Sequence, residues 1–253
     1  MNRATVIPSL SRDQIFVQIG AGAGDLDSRA CFRDGFCEFV KSLDLLPSQK
    51  VVLVEPNSLN LDLLAKCWSG FPQATVLPIG VTPDDVDGEM VFFYAEEDGP
   101  HYQVCSTEEY HVKKHYPDSV LKSFRVRCVG INSFLDSILK DAPCFLALDV
   151  EGVDFKILSS LCLERFTQIQ WISFEFIHLS VDELYTVYRK LSSSGYLYFG
   201  DGVDYRGCDI LFGKGTFSGF LRLKRTALFY MFFLSRIRLR NLVSYFRVIW
   251  NRR

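Results

Sequence analysis

A mostly parallel α/β sheet, wound by helices on both faces and closed by an antiparallel hairpin, is the fold class this sequence predicts. Three observations predict it. Short apolar runs alternate with amphipathic stretches along most of the chain, the first run ends in glycines in "FVQIGAGAGD", and the last two runs, "YLYF" and "CDILFG", read as a hairpin. With 253 residues, 48% of them hydrophobic, the chain is long enough for one α/β domain with a full core.

The elements follow in order. "IFVQIG" (15–20) and "VVLVEP" (51–56) are continuous apolar runs, the pattern of parallel strands buried on both faces. Between them, 28–46 holds a helix with Phe32, Phe36, Phe39, Val40 and Leu43 at helical spacing. After Pro56, "NSLNLDLLAKCWSG" predicts a helix capped by Asn57 or Ser58 and stopped by Gly70, with Leu59, Leu63, Leu64, Cys67 and Trp68 on one face. "TVLPIGV" (75–81), "MVFFYA" (90–95) and "FRVRCV" (124–129) read as strands, with a polar, histidine-bearing loop before the last. "NSFLDSILK" is a short capped helix, "CFLALDV" (144–150) a buried strand, "VDFKILSSL" a helix and "IQWISFEFI" a strand. "SVDELYTVYRKLSSSG" is a helix with Ser180 and Glu183 at capping-box spacing.

Charge divides the chain. Ten of its 28 basic residues lie after Leu211 and no acid does, so the tail carries +10 and the body before it −12. An acidic body argues against a nucleic-acid groove. The eight cysteines are scattered without a CxxC pair and read as reduced core residues. No long apolar stretch follows the basic N-terminus, so a cytoplasmic setting is expected.

Gly20, Gly22 and Gly24 fall in the first strand-to-helix turn, where open α/β sheets bind ligands. Without Cβ atoms they let a ligand touch main-chain N–H groups. The nicotinamide fingerprint requires a glycine where Asp25 stands, a carboxylate in the path of a pyrophosphate, which counts against a nicotinamide oxidoreductase. A ligand with ribose hydroxyls and no phosphate fits better, and S-adenosylmethionine is the obvious one. Glu55, at the tip of "VVLVEP", is placed to accept hydrogen bonds from both hydroxyls. Gln18, Pro56 and Asn57 flank these positions and complete the expected cofactor set.

Four stretches in order, "FVQIGAGAGD", "VVLVEPN", "ALDVEGVDFKIL" and "ISFEFIHLS", with the ending "GYLYFGDGVDYRGCDILF", resemble the FkbM-type methyltransferases from about Ile15 to Lys214. The resemblance implies a seven-stranded class I methyltransferase fold, dependence on S-adenosylmethionine, and O-methylation of a glycan, glycolipid or other small-molecule hydroxyl.

"LDVEG" sets Asp149 and Glu151 on one side of a strand end, and burying such charge without a task is costly. Either would orient the acceptor, take its proton, or hold a divalent metal, although no clear metal motif is present and no metal ligand is assigned. Glu175 and His178 in "SFEFIHLS" should open onto the same rim, with His178 suited to accepting a proton near neutral pH. His111 and His115 stand at i,i+4 spacing, but with no third ligand in sequence they read as part of a solvated loop helix. The loop from Glu96 to Ser119 reads as an acceptor-binding lid, with Tyr102 and Ser106 as contacts.

Two segments are expected: a methyltransferase-like domain over 1–215 and a basic amphipathic tail over 216–253. The tail's longest uncharged stretch, 226–235, is half of what a bilayer crossing needs, and Arg236, Arg238 and Arg240 follow it. It reads as a helix lying on an anionic membrane surface, since Phe229, Tyr230, Phe232, Phe233 and Trp250 exceed what one packed helix needs; packing on the acidic body is the other option. A catalytically degenerate scaffold held on a membrane by this tail is the alternative to an enzyme. The expected partners are a small-molecule or glycan acceptor and that membrane surface, with no nucleic acid.

Overall fold

The structure is a computed structural model that describes residues 11–25, 34–83, 87–99, 102–203, 208–214 and 219–250. In chain order these form β1 (Ile15–Ile19), α1 (Gly35–Lys41), β2 (Lys50–Val54), α2 (Ser58–Cys67), β3 (Ala74–Leu77), β4 (Gly80–Thr82), β5 (Gly88–Ala95), α3 (Glu109–His115) and β6 (Leu121–Gly130). There follow α4 (Ile131–Leu139), β7 (Cys144–Leu148), α5 (Asp154–Ser160), β8 (Ile169–Glu175), α6 (Val181–Ser193), β9 (Tyr196–Asp201), β10 (Asp209–Lys214) and α7 (Gly219–Trp250).

Seven strands make the main sheet, in the order β3-β2-β1-β7-β8-β10-β9, with β10 antiparallel to both β8 and β9. β1 lies between parallel β2 and β7, Val17 facing Val52 on one side and Leu146 on the other. Strand order reverses between β1 and β7, which opens a crevice at their carboxyl ends. This is the class I methyltransferase fold.

Alternation along each strand divides the core into two layers. Ile15, Val17 and Ile19 join the larger apolar cluster with α4, α5 and α6, whereas Phe16 faces α1 and α2 with Phe36, Val40, Leu64 and Trp68. Each buried side chain of this size contributes about 1.5–3 kcal/mol, so the strands have no face to spare for solvent.

Local details depart from the sequence reading in four places. "TVLPIGV" is two strands rather than one, because Pro78 has no N–H to continue the ladder. Its first half joins the main sheet, and its second pairs with β6 in a separate three-stranded sheet of order β4-β6-β5. The helix expected over 28–46 is α1, confined to Gly35–Lys41, with Asp34 as its cap accepting from Phe36 and Cys37 N–H; residues 28–33 lie outside the described residues. On α2 the inward face is Asn60, Leu64 and Cys67, which turns Leu59 outward to 45% exposure. "NSFLDSILK" has no side-chain cap: α4 starts after Gly130, and Asn132 instead bridges to the end of α5 through Ser160 O and Cys162 N. The capping box of α6, Ser180 with Glu183, is present as expected.

α7 packs on β9 and α6. Phe229 is fully buried, stacks on Tyr188 at 3.7 Å and belongs to the main apolar cluster. Phe232 lies edge-on to Phe176 at 5.2 Å, Phe233 lies beside Tyr185 at 5.5 Å, and the Arg225 guanidinium sits 4.4 Å over the Phe199 ring. Three of the aromatics attributed to a membrane-facing surface are therefore used in packing. Tyr230 remains 41% exposed, and the Trp250 side chain lies outside the described residues. No described helix is long and apolar enough to cross a membrane.

Candidate active site

A cavity of about 300 Å³ opens at the crevice between β1 and β7, within the range that holds small ligands. Its two ends differ chemically.

One end is main chain. Gly20, Gly22 and Gly24 have φ of +85°, +53° and +66°, values that favour glycine. The turn is tied across β2, with Gly20 and Ala21 N–H both 3.0 Å from Val54 O. A Cβ on Gly20 would overlap the Asp149 carbonyl, and one on Gly24 would lie 2.9 Å from Cys67 Sγ. A Cβ on Gly22 would meet nothing within 4 Å among the described residues, so this peptide faces open space there. Glu55 is buried beneath it and accepts from Gly22 N–H at 2.7 Å and Asn57 N–H at 2.8 Å. Each carboxylate oxygen keeps acceptor capacity toward the cavity. Burial raises the Glu55 carboxyl to about 7 against the lowering effect of those two N–H groups. Gln18 donates to Asp34 at 3.1 Å, and its Oε1 is buried with no hydrogen-bond partner among the described residues.

Of the expected cofactor set, Gln18, Gly20, Gly22, Glu55 and Pro56 line the cavity. Gly24 stands behind it against α2, and Asn57 caps that helix by accepting from Leu59 N–H at 3.1 Å. Their contribution is to hold the turn and Glu55.

The other end is acidic. Asp149 leaves β7, Glu151 turns at φ +48° and Gly152 at φ +91°, so the chain reverses at once into α5. Asp149, Glu151, Glu175 and Asp209 all line the cavity. Asp149 is exposed to solvent within the cavity, with protein packed closely around it. Desolvation, followed by the charges of Glu151, Glu175 and Asp209, holds its carboxyl well above the usual range. Asp154, at the start of α5, is buried and raised to about 7 by the same cause.

His178 Nε2 lies 3.2 Å from Glu175 Oε2 and 3.8 Å from Glu151 Oε2, just behind the cavity wall. Burial, then the neighbouring His111, lowers it to about 4, so at neutral pH it is an uncharged proton acceptor. All four expected catalytic residues, Asp149, Glu151, Glu175 and His178, thus meet at one rim.

The loop helix departs from its solvated reading. α3 leans on the rim with His111 buried and its Nε2 3.1 Å from Glu151 Oε2, while His115 faces outward. Ser106 is buried and donates to Glu151 O at 2.9 Å, which makes it a support for that turn; Tyr102 lines the cavity. Asp209 was legible only as an acid opening the apolar run "DILF", and Asp34 only as a cap before "GFCEFV".

One end offers hydrogen-bond acceptors beside bare peptide, and the other is anionic. The complementary ligand carries hydroxyls at one end and positive charge toward the other, as a ribosyl sulfonium does.

The profile described as the methyltransferase FkbM domain matches residues 18–198. Among solved structures, an FkbM methyltransferase from Methylobacillus flagellatus KT aligns at 16% identity and TM-score 0.46, over 82% of this chain and 45% of its own. A precorrin-6y C5,15-methyltransferase from Geobacter metallireducens GS-15 aligns at 14% identity and TM-score 0.41, over 84% and 86%. The human methyltransferase 10 domain containing protein aligns at 10% identity and TM-score 0.42, over 85% and 79%. The chain thus spans less than half the length of the solved FkbM methyltransferase it matches. No curated protein matches at a significant level.

Proposed function

The chain belongs to the FkbM methyltransferase family, and on that premise we propose that it moves a methyl group from S-adenosylmethionine to a hydroxyl of a glycan, glycolipid or other small molecule. The observation that carries this reading is the two-ended cavity, with open peptide at Gly22 above Glu55 facing the acids at Asp149, Glu151 and Glu175. S-adenosylmethionine, when bound, supplies a methyl group activated by a positively charged sulfur. Gln18, Gly20, Gly22, Glu55 and Pro56 would hold it. Among the described residues, the buried Gln18 Oε1 without a partner and the space over Gly22 fit such a ligand.

On the acceptor side, Asp149 receives the hydroxyl proton. In its ionised form this carboxylate, lining the cavity beside Glu151 and Glu175, is placed to take that proton. Glu175, with His178 at 3.2 Å, orients the acceptor. The small sheet supplies the remaining wall through Thr82, Met90 and Phe92, which shield the reacting groups from bulk water.

The test incubates purified protein and S-adenosylmethionine with a small-molecule extract, and follows S-adenosylhomocysteine release with mass spectrometry of the extract. The expected result is release coupled to at least one metabolite heavier by one methylene. Saturable cofactor binding with no release from any extract would overturn the enzyme reading in favour of a binding protein.

A further inference from the structure

Behind the cavity wall, three imidazoles converge from two separate elements. His111 and His115 project from one face of α3, His178 follows β8, and one ring nitrogen of each lies within 4.8 Å of the others. The rings are 4.7, 5.1 and 5.6 Å apart in the pairs 111–178, 111–115 and 115–178. Glu151 stands beside two of these rings, its Oε2 3.1 Å from His111 and 3.8 Å from His178, and forms a second group of donor atoms with Glu175 and His178. We propose that His111, His115, His178 and Glu151 bind one divalent transition metal of the zinc class, clamping α3 to the rim of the cavity.

The donor set suits that class. Three imidazoles and one carboxylate are a zinc complement, whereas magnesium and calcium take oxygen ligands. Bonds of about 2.0–2.1 Å in a tetrahedron place ligand atoms roughly 3.3 Å apart. The His111–Glu151 contact already has that spacing; the histidine donors stand within 4.8 Å of one another, and His115, which faces outward, must swing in to close the set and leaves an entry route. The surroundings are built for it. Gly152 bears no Cβ where one would come within 2.6 Å of His111 Nδ1, and the Glu151 backbone turns at φ +48° under the hydrogen bond from Ser106. Bound there, the ion would fix Glu151 from behind and hold the segment that carries Tyr102 against the cavity.

This goes beyond the methyl-transfer reading and is tested without turnover. Untagged full-length protein, stripped by chelator and dialysed, is titrated with cobalt(II) and, separately, zinc(II). The expected result is one equivalent of cobalt with visible d–d absorption of tetrahedral intensity, no thiolate charge-transfer band, and displacement by zinc. Outer-shell partners of a metal are themselves worth about 10–100-fold in affinity, so His115→Gln should weaken binding at least roughly tenfold. The double variant His111→Gln/His115→Gln should abolish the spectrum. Because His115 faces outward, the single variant tests the idea even where the double variant misfolds, which far-ultraviolet circular dichroism reports. Absence of a stoichiometric site in the wild type, a thiolate band, or unchanged affinity in His115→Gln would each overturn the proposal.

Discussion

The two ends of the cavity are made differently. The glycine end is one turn of main chain between residues 20 and 24 with Glu55 beneath it, whereas the acidic end is gathered from the ends of β7 and β8 and from β10, with α3 leaning on its rim. The first depends on what side chains leave out and the second on where distant side chains arrive. It follows that the first should fail through backbone geometry and the second through chemistry, with little exchange between them.

That separation can be broken most forcefully at Gly20. A methyl group there meets the Asp149 carbonyl at a φ of +85°, so Gly20→Ala should lower stability by about 4–5 kcal/mol and remove cofactor binding, read by urea denaturation and calorimetry. Asp149→Asn keeps the shape and removes the base. Turnover is expected to fall by about 10²–10⁴ while the cofactor Kd stays unchanged, and a parallel loss of binding would show that the two ends are one unit.

A pH series sharpens the comparison next. The folded carboxyls of Glu55 and Asp154 stand at about 7, above their ordinary values of 4.5 and 3.8. The native state therefore holds these protons more tightly than the unfolded chain. Their stabilising contribution is complete below about pH 4 and is lost as pH rises through about 7, by roughly 3 kcal/mol for Glu55. Urea midpoints of the ligand-free protein should fall across that window, and Glu55→Gln should flatten the fall. Glu55→Ala should weaken cofactor binding by about 10–100-fold while the acidic end keeps its arrangement. The smallest effect is expected from Ser106→Ala, about 1 kcal/mol of stability, since one hydrogen bond to Glu151 O is lost.

The same division governs what could be read from sequence. Gly20, Gly22 and Glu55 were legible because their geometry is local: a strand ends, glycine spacing marks the turn, and the next strand's tip presents the acid. Asp149, Glu151, Glu175 and His178 were legible as strand-end residues, since charge at the end of an apolar run signals a rim. The place of His111 was not legible. "EEYHVKKHY" has almost no apolar face, so nothing in its periodicity says that His111 and Val112 are buried. Only the crossing of α3 over the end of β7 brings them to Glu151. The division of "TVLPIGV" was hidden for a related reason: Pro78 marks a break, but which sheet receives each half is decided by pairing with β2 and with β6, far away in the chain.

The seating of Phe229 between Tyr188, Tyr198 and Phe212 has a mechanical consequence. The thirty-two residues of α7 form one unbroken rod, roughly 48 Å long at helical rise, anchored near its start by a keyed aromatic ring. Torque applied along it is delivered to β9 and α6, the elements on which it packs.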